Sequence, residues 1–351
     1  MAHPAQLYEP LPGGKVRCTA CARYCVIPEG SHGFCFVRKN VNGRLELLSY
    51  GRAAAVQVDP VEKKPLSHYR PGTRVFSIGT VGCNWRCLYC QNAEISQERE
   101  VGGRPLTPED AVRDALRLDC QGVTFTYNEP TIFIEYALDV IEEAHRHGLY
   151  TNFVSNGYMT PEAVDVLAPK LDAISVDFKG SGEESFMRKY ITAKGPAPIL
   201  ETTAELKRRG VHVEVTDLIV PQVGDDARAL RKLARFVREE LGADTPFHLL
   251  RFHPDYKMLE FPETPIPTLE KLHAVAKSEG LEYVYLGNIW GHRFEHTYCP
   301  ECGAVAVERY GFIIRGWHLT PENRCRQCGH ALPIVGSLPE SYEPTFAMPV
   351  S

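Results

Sequence analysis

Short apolar runs alternate with helical patterns through the middle of the chain. Six runs are rich in Val, Ile, Leu and Phe, and a weaker seventh follows them; they cover residues 74–80, 122–126, 149–155, 173–177, 212–219, 247–252 and 283–286. Alternation of strands with helices is typical of βαβ units that build a parallel sheet. The pattern therefore predicts an α/β fold whose six main units begin at residue 74.

Capping residues support the helices between these runs. Thr107 and Thr160 each precede a proline and a glutamate, which is a favourable start for a helix. Glycines occur where four of the helices should end: Gly148, Gly210, Gly242 and Gly280. Glycine is favoured there because it adopts the left-handed conformation that ends many helices.

Composition places the chain among ordinary globular proteins. It has 351 residues, 24% of them charged, and a formal net charge of −5. The acidic balance disfavours a broad electrostatic contact with nucleic acid. The first residues lack the pattern of a secretory signal, and no apolar run approaches the length of a membrane span. We therefore expect a cytoplasmic protein, in which twelve cysteines indicate metal ligands rather than disulfides.

Three cysteines follow the first apolar run in the segment GCNWRCLYCQN. Cys83, Cys87 and Cys90 are spaced so that one tight loop can wrap three thiolates round a face of an iron–sulfur cube. The next cysteine, Cys120, is distant in sequence, so one iron would keep an open position, as a catalytic cluster requires. A zinc knuckle or buried thiols are the alternatives, although zinc sites usually close with four ligands.

The C-x3-C-x2-C spacing after a first strand resembles the motif of radical S-adenosylmethionine (SAM) enzymes. The flanking segments DPVEKKPLSHYRPG and CQNAEIS are similar to the branch related to pyruvate formate-lyase activating enzyme. More narrowly, nearly the whole chain resembles the radical SAM enzyme of the AmmeMemoRadiSam system. The resemblance implies a partial (βα)6 TIM-like barrel over residues 73–290. It also implies reductive cleavage of SAM at a [4Fe-4S] cluster to a 5′-deoxyadenosyl radical, with an electron donor such as flavodoxin or ferredoxin.

The resemblance further implies which residues contact SAM. Tyr89 matches an aromatic residue near the adenine, and Glu129 matches a glutamate that recognises the amino group. The family has glycines where this chain has Tyr127 and Asn128, which puts a close backbone approach to SAM in doubt. Further matches follow the third, fourth and sixth strands: Asn156, Asp177, Lys179 and His253.

Each of these matches also has a structural interpretation. Glu129 can be a carboxylate at a helix N-terminus, Asp177 and Lys179 a surface ion pair, and His253 a hydrogen-bonded structural histidine. Six more residues near the fifth and sixth strands are candidates for facing the substrate: His212, Asp217, Gln222, Asp255, Tyr256 and Lys257.

The N-terminal segment, residues 1–72, carries four cysteines of its own. Cys18, Cys21, Cys25 and Cys35 are close enough in sequence to form a closed four-thiolate site. Structural zinc is the first interpretation, an auxiliary iron–sulfur cluster the second and free buried thiols the third, because spacing alone does not separate the two metals.

The C-terminal segment, residues 291–351, contains two C-x2-C pairs. Cys299 and Cys302 form one pair, Cys325 and Cys328 the other, and residues 304–315 between them predict a hairpin. This arrangement is typical of a zinc ribbon, with rubredoxin-like iron as the alternative. We expect the ribbon to cover or flank the active site, or to dock a partner.

The resemblance implies an oxidoreductase that abstracts hydrogen. Resemblance to activating enzymes implies a protein or peptide substrate, for which a glycyl-radical enzyme is one candidate. A small molecule or cofactor precursor is the alternative substrate. A metal-dependent binding or redox-sensing module is the alternative from another class, and the acidic balance and the intact three-cysteine loop count against it.

Overall fold

The structure is a computed structural model that describes residues 3–344 and 346–350. Its strands are β1 His3–Pro4, β2 Tyr8–Leu11, β3 Lys15–Cys18, β4 Val26–Ile27, β5 Arg38–Val41, β6 Arg44–Leu47, β7 Arg52–Ala53, β8 Ala55–Pro60, β9 Arg74–Gly79, β10 Arg104–Pro105, β11 Gly122–Phe125, β12 Tyr150–Ser155, β13 Ala173–Lys179, β14 His212–Ile219, β15 Phe247–Arg251, β16 Val284–Gly287, β17 Thr297–Tyr298, β18 Val305–Tyr310, β19 Ile313–Trp317 and β20 Met348–Pro349. Its α-helices are α1 Ala93–Ser96, α2 Pro108–Arg117, α3 Ile134–Arg146, α4 Pro161–Leu167, α5 Glu184–Phe186, α6 Ala197–Arg208, α7 Ala227–Phe236 and α8 Ile266–Ser278.

A nine-stranded sheet organises the molecule. Its order is β16-β15-β14-β13-β12-β11-β9-β8-β20, and the seven strands from β16 to β9 are parallel to their neighbours. These seven strands are the seven predicted runs, so the predicted α/β fold is confirmed and the weak seventh run is a full member of the sheet. β8 and β20 add an antiparallel edge that the apolar pattern did not predict.

The predicted helix signals are confirmed. The Thr107 hydroxyl accepts a hydrogen bond from the Asp110 N–H at 3.1 Å, and the Thr160 hydroxyl accepts one from the Ala163 N–H at 3.1 Å. Each bond satisfies a donor that the first turn of a helix would otherwise leave free. All four predicted glycines have positive φ: Gly148, Gly210 and Gly280 lie two residues after the ends of α3, α6 and α8, and Gly242 follows the π-helical turn Val237–Leu241 that continues α7.

The N-terminal segment and the barrel share one hydrophobic core. Buried side chains of the N-terminal strands, such as Val16 and Leu47, belong to the same cluster as Phe125 and Phe153 of the barrel. The C-terminal segment has a separate small core, built on the last barrel strand through Tyr285. The boundaries at residues 72 and 290 stay predictions, but only the second coincides with a change of core.

A buried ion pair fastens the N-terminal segment to the barrel. The Arg38 guanidinium donates to the Glu135 carboxylate, 3.1 Å from Nη1 to Oε1, and to the Ile132 carbonyl at 2.9 Å. Both charged side chains are almost fully buried. Removal of one partner would leave an uncompensated buried charge, which is strongly destabilising. The N-terminal segment is therefore part of the scaffold beside the three-cysteine loop. In the described residues, no helix is long and apolar enough to cross a membrane.

Candidate functional site

A cavity of about 520 Å³ opens where the parallel strands end. Its wall includes every residue that the motif and the resemblance assigned to the cluster and to SAM: Cys83, Cys87, Tyr89, Cys90, Glu129, Asn156, Asp177, Lys179 and His253. These residues come from the loop after β9 and from the carboxyl ends of four other strands. The structure brings these strand-end side chains together at one rim, and their roles stay predictions.

Two asparagines fix the ends of the three-cysteine loop. The Asn128 amide donates to the Gly82 carbonyl at 2.9 Å and to the Thr80 hydroxyl at 3.0 Å, at the start of the loop. The Asn92 amide donates to the Tyr127 carbonyl at 2.8 Å, at its end. Asn128 belongs to the turn that follows β11, and Asn92 binds the backbone of that turn. The loop is therefore held in place by hydrogen bonds before any ligand binds.

Tyr127 keeps a backbone conformation that glycine would adopt easily. Its φ is +71°, in the left-handed region that bulky residues rarely occupy. Its hydroxyl donates to Asp59 Oδ2 at 2.7 Å, which helps to hold the ring in this strained turn. Tyr127, which stands where the family has a glycine, is therefore held in a left-handed conformation by its own side chain.

A close contact explains the glycine that starts the loop. A Cβ on Gly82 would lie 2.3 Å from the Cys35 carbonyl oxygen, and its φ is +83°. No other residue fits there without displacing backbone. The three-cysteine loop thus packs directly against the N-terminal cysteine segment.

The three thiols of the loop are partly enclosed. Burial raises the pKa of the Cys83 and Cys87 thiols well above their usual range. Proton release from them therefore needs compensation by positive charge, which a bound metal cluster provides. The cavity wall, as far as the chain is described, contains these three cysteines and no fourth. This is the ligand set of a cluster with one open iron.

The Glu129 carboxylate accepts four hydrogen bonds from the protein. Oε1 accepts hydrogen bonds from the Thr131 N–H at 3.0 Å, the Thr131 hydroxyl at 2.6 Å and the Ser155 hydroxyl at 2.7 Å. Oε2 accepts one from the Asn156 N–H at 2.8 Å. Three donors share Oε1, whereas Oε2 has one donor and keeps an acceptor site. Glu129 also caps the helical turn Pro130–Phe133, so the structural interpretation of this residue holds at the same time.

Asp177 and Lys179 form an ion pair that faces the cavity. Lys179 Nζ lies 2.5 Å from Asp177 Oδ2, and the Thr216 hydroxyl donates to Asp177 Oδ1 at 2.9 Å. Burial lowers the pKa of Lys179, but the charge of Asp177, the hydrogen bond to Asp177 and the nearby Cys87 and Cys90 together outweigh burial, so the net shift of the pKa is upward. The pair is at the cavity wall and mostly enclosed, unlike the exposed ion pair that was the alternative.

Two aromatic groups complete this part of the wall. Tyr89 is buried against Phe252 and Phe186, yet its hydroxyl has no hydrogen-bond partner within the described chain. A buried polar atom without a partner is costly, and a ligand in the cavity can satisfy it. His253 stands at the mouth, with 64% of its side chain exposed.

The six other candidates near the fifth and sixth strands lie outside the cavity wall. In the described part of the chain, none of His212, Asp217, Gln222, Asp255, Tyr256 and Lys257 belongs to the wall. His212 lies at the start of β14 and bonds to Glu214, at 3.1 Å between Nε2 and Oε1. Asp217 is buried and accepts hydrogen bonds from Ser181 N–H and hydroxyl at 2.8 and 2.7 Å. Side chains of one strand alternate between two faces, and apolar runs alone do not tell which face points inward.

Asp217 gives a pH-dependent prediction. Burial raises its pKa to about 7, so the folded chain holds a proton that the unfolded chain releases near pH 4. The contribution of Asp217 to the free energy of unfolding is therefore present at low pH and is lost as pH rises through 7. Relative to Asp217→Asn, the wild type should lose roughly 2 kcal/mol of unfolding free energy between pH 5 and 7. Anaerobic denaturant titrations at each pH measure this.

Asp226→Asn is the control for that experiment. Asp226 is an exposed cap whose pKa is lowered by its hydrogen bonds to Arg228, so its difference from wild type should stay constant from pH 5 to 7. A constant difference for Asp217→Asn as well would contradict the prediction.

The sequence did not predict several cavity residues from the two ends of the chain. Lys64 is fully buried, and its Nζ lies 2.6 Å from Asp59 Oδ2. Arg309, Gly311 and Phe312 reach the wall from the β18–β19 hairpin. The Glu-Lys-Lys run at residues 62–64 was the available signal for Lys64, whereas nothing local marks a hairpin turn as part of a distant cavity.

The two C-terminal cysteine pairs come together as expected. Within the described chain they are the one set of His, Cys, Asp and Glu side chains whose ligand atoms all lie within 4.8 Å of one another. Cys299 Sγ is 3.6 Å from Cys328 Sγ, and Cys302 Sγ is 3.7 Å from Cys325 Sγ. A tetrahedral metal with metal–sulfur distances of about 2.3 Å would separate its sulfurs by about 3.8 Å. This group can therefore hold a single metal ion.

Cys299→Ser should weaken the C-terminal segment. A closed four-thiolate site contributes to the free energy of folding, so we expect the bound metal of this segment to be lost and Tm to fall by about 5 °C or more. Metal analysis and anaerobic thermal melts measure both. The absorption of the Cys83 loop cluster should not change, because the two sites have separate ligands.

Cys120→Ser is the control for this experiment. It alters a lone buried cysteine, so the metal content should equal that of the wild type. Unchanged metal and Tm in Cys299→Ser would exclude a metal at this site.

Known proteins resemble this chain at three levels. Residues 77–237 match the model of the Radical SAM superfamily. An uncharacterized protein of Methanocaldococcus jannaschii is 45% identical, over 94% of this chain and 99% of its own length. The pyruvate formate-lyase-activating enzyme of Clostridium pasteurianum is 26% identical, over 50% of this chain and 79% of its own. Among solved structures, a radical SAM methyltransferase from Sphaerobacter thermophilus aligns with a TM-score of 0.48 and 15% identity, covering 62% of this chain and 67% of that one.

Proposed function

Because this chain belongs to the radical SAM superfamily, we propose that Cys83, Cys87 and Cys90 bind a [4Fe-4S] cluster and that SAM binds beside it in the cavity. The observation that carries the proposal is the convergence of these three thiols and the six assigned SAM residues on one cavity wall. When bound, the cluster supplies the electron that cleaves SAM.

The residues of the wall fit the polar parts of SAM. Asp177 keeps free lone pairs beyond its bonds to Lys179 and Thr216, so it can accept a hydrogen bond from a ribose hydroxyl. The Lys179 ammonium faces the same cavity and can bind the SAM carboxylate. Oε2 of Glu129 accepts one hydrogen bond, from the Asn156 N–H, and keeps a lone pair that can accept another from the SAM ammonium.

The remaining wall is suited to excluding water. Phe252 is buried, and Tyr89 packs against it edge to face with ring centroids 5.9 Å apart. Trp290, Phe312 and Gly311 line the cavity from the C-terminal side. Exclusion of water protects a reactive species from side reactions. The C-terminal segment therefore serves the cavity directly, in addition to holding its own metal, for which we propose zinc.

For the substrate we propose a protein or peptide that donates a hydrogen atom. Relatives at 25–26% identity are pyruvate formate-lyase-activating enzymes. At the mouth of the cavity, 54% of the Trp290 surface is exposed, and it packs against Tyr310 and Phe312. Aromatic residues of this kind are common anchors in protein interfaces. A small molecule remains the second candidate, because a cavity of about 520 Å³ lies within the usual range for small ligands.

Anaerobic incubation with SAM and a strong reductant tests the proposed activity. We expect 5′-deoxyadenosine and methionine to form, slowly even without substrate, and no product without reductant. A metal-dependent binding or sensing module would release neither compound. The assay should also be run with flavodoxin or ferredoxin, the proposed electron donors.

A second reaction distinguishes the substrate classes. The enzyme is incubated with an extract of the cell that produces it, separated into protein and small-molecule fractions. Mass spectrometry should find more 5′-deoxyadenosine, and a modified product, with the protein fraction. Stimulation by the small-molecule fraction alone would favour the second candidate.

A further inference from the structure

A second, smaller cavity is enclosed by the N-terminal cysteines. Its wall contains the four side chains Cys18, Cys21, Cys25 and Cys35. In the described chain all four are free thiols; Cys25 is partly exposed and the others are buried. Four thiolates round one cavity form a complete ligand set for a metal centre with no open position.

The spacing of these sulfurs differs from that of the C-terminal group. The C-terminal sulfurs lie within 4.8 Å of one another, as a single tetrahedral ion requires, and in the described residues no other cysteine set does so. Cys83, Cys87 and Cys90, the proposed ligands of a [4Fe-4S] cluster, do not meet this spacing, and neither do the four N-terminal cysteines. An iron–sulfur cube holds its thiolates farther apart than a single ion does, because each thiolate binds a different iron.

One polar group without a partner also lines this region. The Asn84 side chain is fully buried and lines the small cavity, yet its Nδ2 has no hydrogen-bond partner within the described chain. Arg38, a buried cation, lines the same cavity. Hydrogen-bond donors and positive charge near thiolate sulfurs stabilise the negative charge of a thiolate-bound cluster.

We propose that Cys18, Cys21, Cys25 and Cys35 bind a second [4Fe-4S] cluster, in place of the zinc that the sequence favoured. It lies directly behind the Cys83 loop: the Cys35 carbonyl touches Gly82, and Asn84 belongs to that loop. With four thiolate ligands it has no site for SAM. Its chemistry is the gain and loss of one electron supplied by a low-potential carrier.

Iron counting in a variant without the first cluster tests this proposal. The full chain with Cys83, Cys87 and Cys90 replaced by alanine is reconstituted anaerobically with iron and sulfide. We expect about four iron and four sulfide ions per chain, against about eight of each in wild type. On reduction, the variant should give an electron paramagnetic resonance signal that SAM does not change. A variant with no iron and two zinc ions per chain would overturn the proposal.

A single substitution in the N-terminal set completes the test. Cys25→Ser alters the partly exposed ligand, and thermal melts show whether the chain still folds. Added to the triple variant, it should reduce iron well below four ions per chain, whereas Cys120→Ser should not. Equal iron content in these two four-residue variants would show that the residual iron is not bound by the N-terminal cysteines. Neither outcome bears on SAM cleavage, which depends on the Cys83 loop.

Discussion

Replacing Cys83, Cys87 and Cys90 together by alanine is expected to abolish SAM cleavage while the chain stays folded. The three thiols are the only cysteines in the described wall of the main cavity, so no substitute ligand is at hand. Formation of 5′-deoxyadenosine should fall by at least about 1,000-fold, because cofactor chemistry of this kind has no protein-only route. Product is measured by chromatography after anaerobic reduction with SAM.

The structure explains why folding should survive this change. The loop is held by Asn128 and Asn92, whose bonds do not involve the sulfurs. The barrel core is built from side chains of the strands, such as Phe125 and Phe153, which the substitutions do not touch. The far-ultraviolet circular dichroism spectrum should therefore match wild type. Cys120→Ala is the matched control, since it removes a thiol outside the cavity. Cleavage by the triple variant at the wild-type rate would disprove the assignment of the ligands.

Asp177→Asn is expected to weaken SAM binding roughly ten- to a hundredfold. A charge-assisted hydrogen bond contributes about 1.5–3 kcal/mol, and each 1.4 kcal/mol is a factor of ten in affinity. The substitution also frees Lys179 from its ion partner at 2.5 Å, which alters the second contact proposed for SAM. Affinity is measured by titrating SAM into the reduced anaerobic protein and following the cluster's electron paramagnetic resonance signal.

Asp172→Asn is the control for this titration. Asp172 directly precedes the same strand and accepts a hydrogen bond from the Thr151 N–H at 2.7 Å, but it is not part of the cavity wall in the described chain. It should lose stability without losing affinity. Wild-type affinity in Asp177→Asn, with only a small fall in Tm, would mean that Asp177 forms a structural ion pair and that SAM binds elsewhere.

Glu129→Gln should weaken SAM binding to a comparable extent, for a different reason. The glutamine loses the charge that attracts the SAM ammonium, and its NH2 group faces either the Asn156 N–H or the donors from Thr131 and Ser155. Two donors facing each other leave buried polar groups unpaired, so Tm should fall too. A fall in Tm with unchanged affinity would reduce Glu129 to its structural role as a helix cap.

Much of the fold was predictable because its determinants are local. Each apolar run is long enough to be a buried strand, and the Thr107 and Thr160 caps are side-chain effects within one turn. The antiparallel edge made by β8 and β20 joins residues 57–58 to residues 348–349. Pairing over such a distance leaves no local pattern, and this explains why the apolar runs did not predict it.

The candidate site was predictable where a motif names the ligand and its spacing. Cys83, Cys87 and Cys90 are of that kind, and the strand-end residues followed from the resemblance. Lys64 was missed because a buried lysine is unusual, and its burial depends on Asp59, which also accepts hydrogen bonds from Ser77 and Tyr127. The four N-terminal cysteines could be grouped from sequence, but only their spacing in three dimensions separates a cluster from zinc.

The cavity wall has a consequence for how related enzymes diverge. Half of its residues lie outside residues 77–237, the region that matches the superfamily. Lys64 enters from the N-terminal side, and Trp290 and Phe312 enter from the C-terminal side. The shared region holds the proposed cluster ligands and most of the proposed SAM contacts, while the two ends shape the space that is left. Evolution can therefore change substrate preference by altering the ends of the chain, with the radical-generating machinery left intact. Classification by the shared region alone will group enzymes of similar chemistry and different targets.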